Sequence, residues 1–356
     1  MKLSKSQCVL VLVAALASLG VECRQRVPPP DLVFGSGGAG GIPSTGGTGG
    51  TVDPDSFFTR GEFESIEPKS VYFVGHSLLT LIPDFVAHMT NTMRADSFTF
   101  REQNVPGAPL RWHWEESGPG DGSPVGEWDF NHQIHDALAS GLYTHVVVTD
   151  SVPRGGTEME DETVQYLGEI VAAARAARPD VRVFYYETWP HITSGLPGHD
   201  PYGHDTMSPT RNLEWLERIH ADAPMWERIV DRVNQAMPPG AAGHNVQLIP
   251  AGRVLASLVA AVEAGLVPGF DEVEDLFLDD IHTNHYAKLV VAATHVAIYS
   301  RRDPRDFDIG ILDRWGNPYW NVEDWEGNIF QRPSDAAAAE FLRVVYEATP
   351  QYYQDR

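Results

Sequence analysis

The sequence predicts a three-layer α/β/α domain built on a five-stranded parallel sheet. Two observations carry this. Short β-rich apolar runs recur between residues 66 and 300, and stretches with helical spacing separate them. The first strand is Ser70–Val74. Leu79, Ile82, Phe85, Val86, Met89 and Met93 then recur at the period of an amphipathic helix. A second strand is expected at Phe98–Phe100 and a helix around Ile134–Leu138. Thr144–Thr149, with three consecutive valines, reads as a strand buried on both faces. An Ala-rich helix is expected over Glu162–Ala177, a strand over Val181–Tyr186, and a long helical region over Leu213–Met237 that Pro224 should break. The fifth strand is Val246–Ile249. Helices follow at Val254–Ala264 and Thr283–Tyr299. The spacing shows no internal repeat.

Composition narrows the class of partner. The chain has 356 residues, with 26 Lys and Arg against 49 Asp and Glu, a formal charge of −23. Nucleic acids and anionic membranes attract clustered Lys and Arg, so neither is expected as the main partner. At the N-terminus, Lys2 and Lys5 precede the apolar run Cys8–Leu19, and Ala15-Leu16-Ala17 offers small residues for cleavage. Residues 1–20 therefore read as a secretory signal. A lipoprotein signal ending at Cys23 is the alternative, and it would be the only route to a membrane. Cys8 and Cys23 are the only cysteines, so the exported body has no disulfide. Residues 21–65, with Pro28-Pro29-Pro30 and a Gly-rich run, read as a disordered spacer. The body then spans 66–300, and 301–356 forms an aromatic-rich extension on the same domain. The protein is expected outside the cytoplasm: secreted, periplasmic or on the cell surface.

In open parallel sheets ligands bind at the carboxyl ends of the strands. After the first strand comes Gly75-His76-Ser77. A serine there, on a turn into a helix, is exposed, and its own N–H can bind an oxyanion. Serine is also a favoured helix cap, which is the plainer reading. Leu79 stands where a Gly-x-Ser-x-Gly elbow needs glycine. Before the last helix comes Asp279-Asp280-Ile281-His282. Three residues apart in a turn, Asp279 can orient His282 while the ring reaches a serine on another loop.

Ser77 after the first strand, with Asp279 and His282 before the last helix, resembles the SGNH (GDSL-like) hydrolase superfamily. The resemblance covers about residues 68–300 by element order and rests on short motifs. It implies a flavodoxin-like sheet and a serine esterase or a related acyl-transfer enzyme that needs no cofactor. It implies Ser77 as nucleophile, in Gly-His-Ser rather than Gly-Asp-Ser, with Asp279 and His282 completing the triad. Gly107, in Asn104-Val105-Pro106-Gly107-Ala108-Pro109, matches the glycine whose N–H joins that of Ser77 in the oxyanion hole. The family's third-block Asn has no counterpart: the third strand ends Thr149-Asp150-Ser151. Thr149 or Ser151 is the hydroxyl that can substitute. An ionised Asp150 aimed inward repels an oxyanion, so Asp150 must point away, be protonated or bind substrate.

Around this rim, His76, Asp150, Glu187, Trp189, Trp112 and Trp114 are candidate substrate contacts, with Trp128 nearby in sequence. Flat indoles stack on sugar rings, though packing under loops is the plainer use of any one Trp. The expected substrate is a short acyl ester, such as an acetyl group, on a glycan or small molecule. Acyl transfer to a glycan hydroxyl uses the same machinery, and a glycan-binding protein on a degenerate hydrolase fold is the non-enzymatic alternative. His191, His199, Asp200, His204 and Asp205 crowd one loop, and His282 and His285 have His-x-x-His spacing. Their spacing fits no closed metal site, so no metal is expected. The Gly run precedes every strand and cannot cradle a dinucleotide.

Overall fold

The structure is a computed structural model of the chain. It describes residues 52–58, 70–93, 98–115, 134–152, 155–196, 208–241, 243–324 and 327–353. The signal at 1–20, Cys23, most of the spacer, Trp128, His199, Asp200, His204 and Asp205 lie outside the described residues.

Five parallel strands form one sheet: β1 (Ser70–Gly75), β2 (Thr99–Asn104), β3 (His145–Val148), β4 (Arg182–Tyr186) and β5 (Gln247–Ile249), in the order β2-β1-β3-β4-β5. This is the expected three-layer fold. Its central strands are apolar without alternation because both faces are covered. Tyr72, Val74, Val146, Val148, Val183 and Tyr185 face one layer. That layer holds α4 (Ile134–Ala139), α5 (Thr157–Ala177) and α6 (Trp215–Ala236). The alternate residues Phe73, Phe184 and Tyr186 face His295 and Tyr299 of α8 (His285–Ser300) in the opposite layer. That layer also contains α2 (Ile82–Met93) and α7 (Ala251–Glu263), both packed on α8.

Several boundaries differ from the sequence reading for identifiable reasons. β2 runs four residues beyond Phe100. It is an edge strand, half exposed, so its Arg101, Glu102 and Gln103 carry no apolar run to read. α6 continues through Pro224. Proline removes one backbone bond, but the buried face of Ile219, Ala223, Trp226, Ile229, Val230 and Val233 holds the helix on the core. Two short helices were not expected, α1 (Pro54–Phe58) and α3 (Leu110–Glu115). α1 falls in the stretch expected to be disordered, and its Phe58 stacks on Tyr346 at 5.3 Å.

The segment past Ser300 is more than a cover of loops. It contains two narrow turns and a long helix, α9 (Asp335–Tyr352), capped by Ser334 and packed on α7 and α8. The two turns share a short motif, Asp-x-x-Gly-Asn, at 313–317 and 324–328. In each, the aspartate accepts the asparagine N–H at 2.8 Å and also its side-chain amide. Arg314 ties the first turn to the domain, at 2.8 Å from Asp84 and 2.7 Å from Glu102.

Candidate active site

The end of β1 positions the serine. Gly75 is required there by close approach: a Cβ would fall 2.4 Å from the Thr149 methyl. The chain then makes a 3-10 turn over Ser77–Leu79, and Leu81 adopts a left-handed φ of 68° before α2 begins. Ser77 therefore opens a three-residue turn rather than α2 itself, so it lies outside the field of a long helix.

The second half comes from the loop before α8. Asp279 Oδ1 accepts the Ile281 N–H at 2.8 Å and the His282 N–H at 2.7 Å. Its Oδ2 lies 2.7 Å from His282 Nδ1, and His282 Nε2 lies 2.8 Å from Ser77 Oγ. The structure thus joins Ser77, His282 and Asp279 in one hydrogen-bonded chain across 205 residues of sequence. Burial raises the Asp279 carboxyl, but bonds from the His282 ring and from the His282 and Ile281 amides outweigh it and hold the group well below the usual aspartate range. Asp279 thus stays an anion, as an orienting group for an imidazole must. The side chains of His282 and Asp279 are 36% and 55% exposed, so the chain opens onto the surface. Asp280 does not compete for the ring; it accepts from Thr193 N at 3.1 Å. Neither aspartate caps α8, since Asn284 does so by accepting from Tyr286 N at 2.9 Å.

Two candidate backbone donors lie in the loops after β1 and β2. The β1–β2 pairing sets Gly75 beside Asn104, so the loops carrying Ser77 and Gly107 leave adjacent strand ends. Gly107 has φ of 71°, a conformation that favours glycine, and is exposed. Neither the Ser77 nor the Gly107 N–H donates to a protein group among the described residues. Of the two hydroxyls considered, Thr149 is fully buried and its Oγ1 has no partner among the described residues. Ser151 is half exposed, and its N–H is taken by Asp150.

Five of the six expected substrate contacts have other duties. Asp150 is held by three donors. Its buried carboxylate accepts from Leu110 N at 3.0 Å, Ser151 N at 2.8 Å and Thr163 Oγ1 at 2.6 Å, which ties the Gly107 loop to β3 and α5. His76 is buried; Nε2 meets the Asp150 carbonyl at 2.9 Å and Nδ1 takes a long 3.5 Å bond from Leu78 N. That pairing requires the Nε2-protonated tautomer. Glu187 is 1% exposed and paired with Arg253 at 2.9 Å. Trp189 is fully buried, with its indole N–H on the Ile281 carbonyl at 2.8 Å. Trp114 packs on His135 at 4.3 Å and on the core below the sheet. His76, Asp150, Glu187 and Trp189 follow strand ends, as expected, but their polar atoms are taken by other protein groups. Only Trp112 remains beside the site, packed on Val105 and Ala108 next to Gly107. Among the described residues no cluster of His, Cys, Asp and Glu could hold a metal ion. His285 sits in a box of Phe85, Tyr319, Trp320 and Phe330 instead.

No protein-family model matches the sequence, and no curated protein sequence matches it. Solved structures do. A DUF4886 family protein from Bacteroides uniformis is 14% identical with a TM-score of 0.50, covering 78% of this chain and 93% of that one. A GDSL-like lipase from Parabacteroides merdae is 10% identical, TM-score 0.42, covering 65% and 94%. The periplasmic domain of a Salmonella lipopolysaccharide acetyltransferase is 16% identical, TM-score 0.33, covering 52% and 67%. At these identities the likeness is one of fold. What they show is the α/β/α architecture, in which this chain's β2-β1-β3-β4-β5 sheet carries Ser77 after β1 and Asp279 and His282 before α8.

Proposed function

We propose that the protein is a serine esterase of SGNH type that removes a short acyl group, such as acetyl, from a carbohydrate alcohol. The observation that carries this is the unbroken chain Ser77 Oγ, His282 Nε2, His282 Nδ1, Asp279 Oδ2, at 2.8 Å and 2.7 Å. A serine hydroxyl is not nucleophilic at neutral pH without such a base. Ser77 Oγ attacks the ester carbonyl while His282 Nε2 takes the hydroxyl proton. The tetrahedral oxyanion is held by the N–H groups of Ser77 and Gly107, with Ser151 as the accessible hydroxyl for the place of the absent Asn. The C–O bond to the alcohol breaks and His282 protonates the departing oxygen. Water then repeats the sequence on the acyl-serine and releases the carboxylic acid. Asp279 stays ionised throughout and holds the ring in the required tautomer.

The alcohol side of the reading rests on two features. His282 and Asp279 stand at the open surface, where a bulky ring can approach, and Trp112 offers a flat face beside Gly107. Residues 1–20 place the enzyme outside the cytoplasm in this reading, tethered if Cys23 is acylated. The test is labelling by a serine-directed fluorophosphonate together with turnover of p-nitrophenyl acetate, each against Ser77→Ala. Serine-dependent labelling and turnover support the esterase. Folded proteins with neither leave a glycan-binding role. Product analysis with an acceptor sugar then separates water from a sugar hydroxyl as the second nucleophile.

A further inference from the structure

The turn that carries His282 has its shape set from within. Asp279 accepts two of its N–H groups, Leu278 N donates to the His282 carbonyl at 2.7 Å, and Phe277 bridges Thr283. None of these bonds fixes where the turn stands relative to Ser77. That placement comes from the segment after β4. Trp189 Nε1 donates to the Ile281 carbonyl at 2.8 Å, Ile192 N to the Asp280 carbonyl at 2.8 Å, and Thr193 N to Asp280 Oδ1 at 3.1 Å. The segment is itself fixed, because Trp215 Nε1 on α6 donates to the Pro190 carbonyl at 2.8 Å.

One of these bonds acts on the imidazole more directly than the others. The Ile281 carbonyl and the His282 N–H belong to the same peptide plane. Asp279 holds its N–H edge and Trp189 holds its carbonyl edge. With both edges held, the His282 Cα and the direction of its side chain are set. We propose that Trp189 is a positioning residue for His282: its indole N–H, through the Ile281 carbonyl, keeps Nε2 at bonding distance from Ser77 Oγ. The proposal rests on the reading of Ser77, His282 and Asp279 as one catalytic unit. It also accounts for a fully buried indole at a strand end that meets no substrate.

The experiment uses the full chain with Trp189→Phe, Trp226→Phe and Ser77→Ala, and reads kcat, KM and fluorophosphonate labelling rate on p-nitrophenyl acetate. Trp226 is also buried beside β4, packing on Tyr185 at 5.1 Å, and it lines the same small cavity as Trp189 but has no hydrogen bond to the turn among the described residues. Displacing a catalytic group by about 1 Å costs about 10²-fold. Trp189→Phe should lower kcat and labelling about 10- to 100-fold, with KM within about twofold because no substrate contact is lost. The low-field proton resonance of the His282–Asp279 bond should shift. Trp226→Phe should lower thermal stability and leave kcat alone. Trp189→Phe with unchanged kcat beside an inactive Ser77→Ala overturns the positioning role alone. Ser77→Ala with full turnover overturns the catalytic reading beneath it. Should Trp189→Phe not fold, replacing Trp189 with 3-benzothienylalanine keeps the shape and removes only the N–H, and the same kcat criterion applies.

Discussion

The turns at Asp279 and Asp313 are built alike and do different things. In both, one carboxylate oxygen accepts two backbone N–H groups. Asp279 takes those of Ile281 and His282, and Asp313 takes those of Trp315 and Asn317 at 2.8 Å each. In both, the other oxygen accepts from a side chain a few residues on, His282 Nδ1 in one and Asn317 Nδ2 at 2.9 Å in the other. In both, burial raises the carboxyl and hydrogen bonds outweigh it, so each is held below the usual aspartate range. The difference lies in what stands opposite. His282 has a second nitrogen and faces Ser77, whereas Asn317 ends its chain of bonds in the turn. A local motif can make an oriented acceptor; only the fold supplies something for it to act on.

The largest effect that tests this contrast is Ser77→Ala. Turnover of p-nitrophenyl acetate should fall at least about 10³-fold, with an unchanged circular dichroism spectrum; residual activity near wild type would remove the reason to treat the Asp279 turn as special. Next is Asp279→Asn, expected to lower kcat by about 10²- to 10⁴-fold with KM nearly unchanged. The matching change at the other turn, Asp313→Ala, should leave kcat where it is and reduce stability by about 1 kcal/mol in urea unfolding. An equal loss of activity in the two variants would erase the distinction.

Acid stability separates a third kind of site from both turns. His285 is buried in its aromatic box, and neither ring nitrogen has a partner among the described residues. Burial pushes its pKa from 6.5 down to about 4, with Lys288 adding to the effect and Asp324 opposing it. The folded state thus binds this proton less readily than the unfolded state does. The stability it protects is complete above 6.5 and is lost as pH falls from 6.5 towards 4. His285→Leu should flatten the urea midpoint across that window. For Asp279 and Asp313 the lowered carboxyls give stability that is present above 3.8 and lost below it. Asp279→Asn should therefore lower the urea midpoint by a constant amount above about 4, with the gap to wild type closing only in stronger acid, and a gap that varies between 4 and 6.5 would contradict the assignment.

Much of this protein is determined by local pattern. Alternation of apolar runs and helical periods specifies the strands of a parallel sheet, because strands covered on both faces need unbroken apolar residues. Gly75-His76-Ser77 and Asp279-Asp280-Ile281-His282 are legible for the same reason, since each lies within one turn. The edge strand β2 was read short because half its residues face water. α9 lies in the stretch read only as an aromatic-rich extension, although Phe341, Leu342, Val345 and Ala348 repeat at helical spacing.

Tertiary structure decided the direction of side chains at the strand ends. Glu187, Trp189 and Asp150 leave the sheet where ligands bind, and sequence alone could not tell that Arg253, the Ile281 carbonyl and the Leu110 amide would claim them. A buried polar atom goes to whichever partner satisfies it, and those partners lie 40 to 92 residues away in the chain. The meeting of His282 with Ser77 has the same origin. Sequence placed both residues at the correct edge of the sheet; the packing of α8 and the bonds after β4 brought them to 2.8 Å.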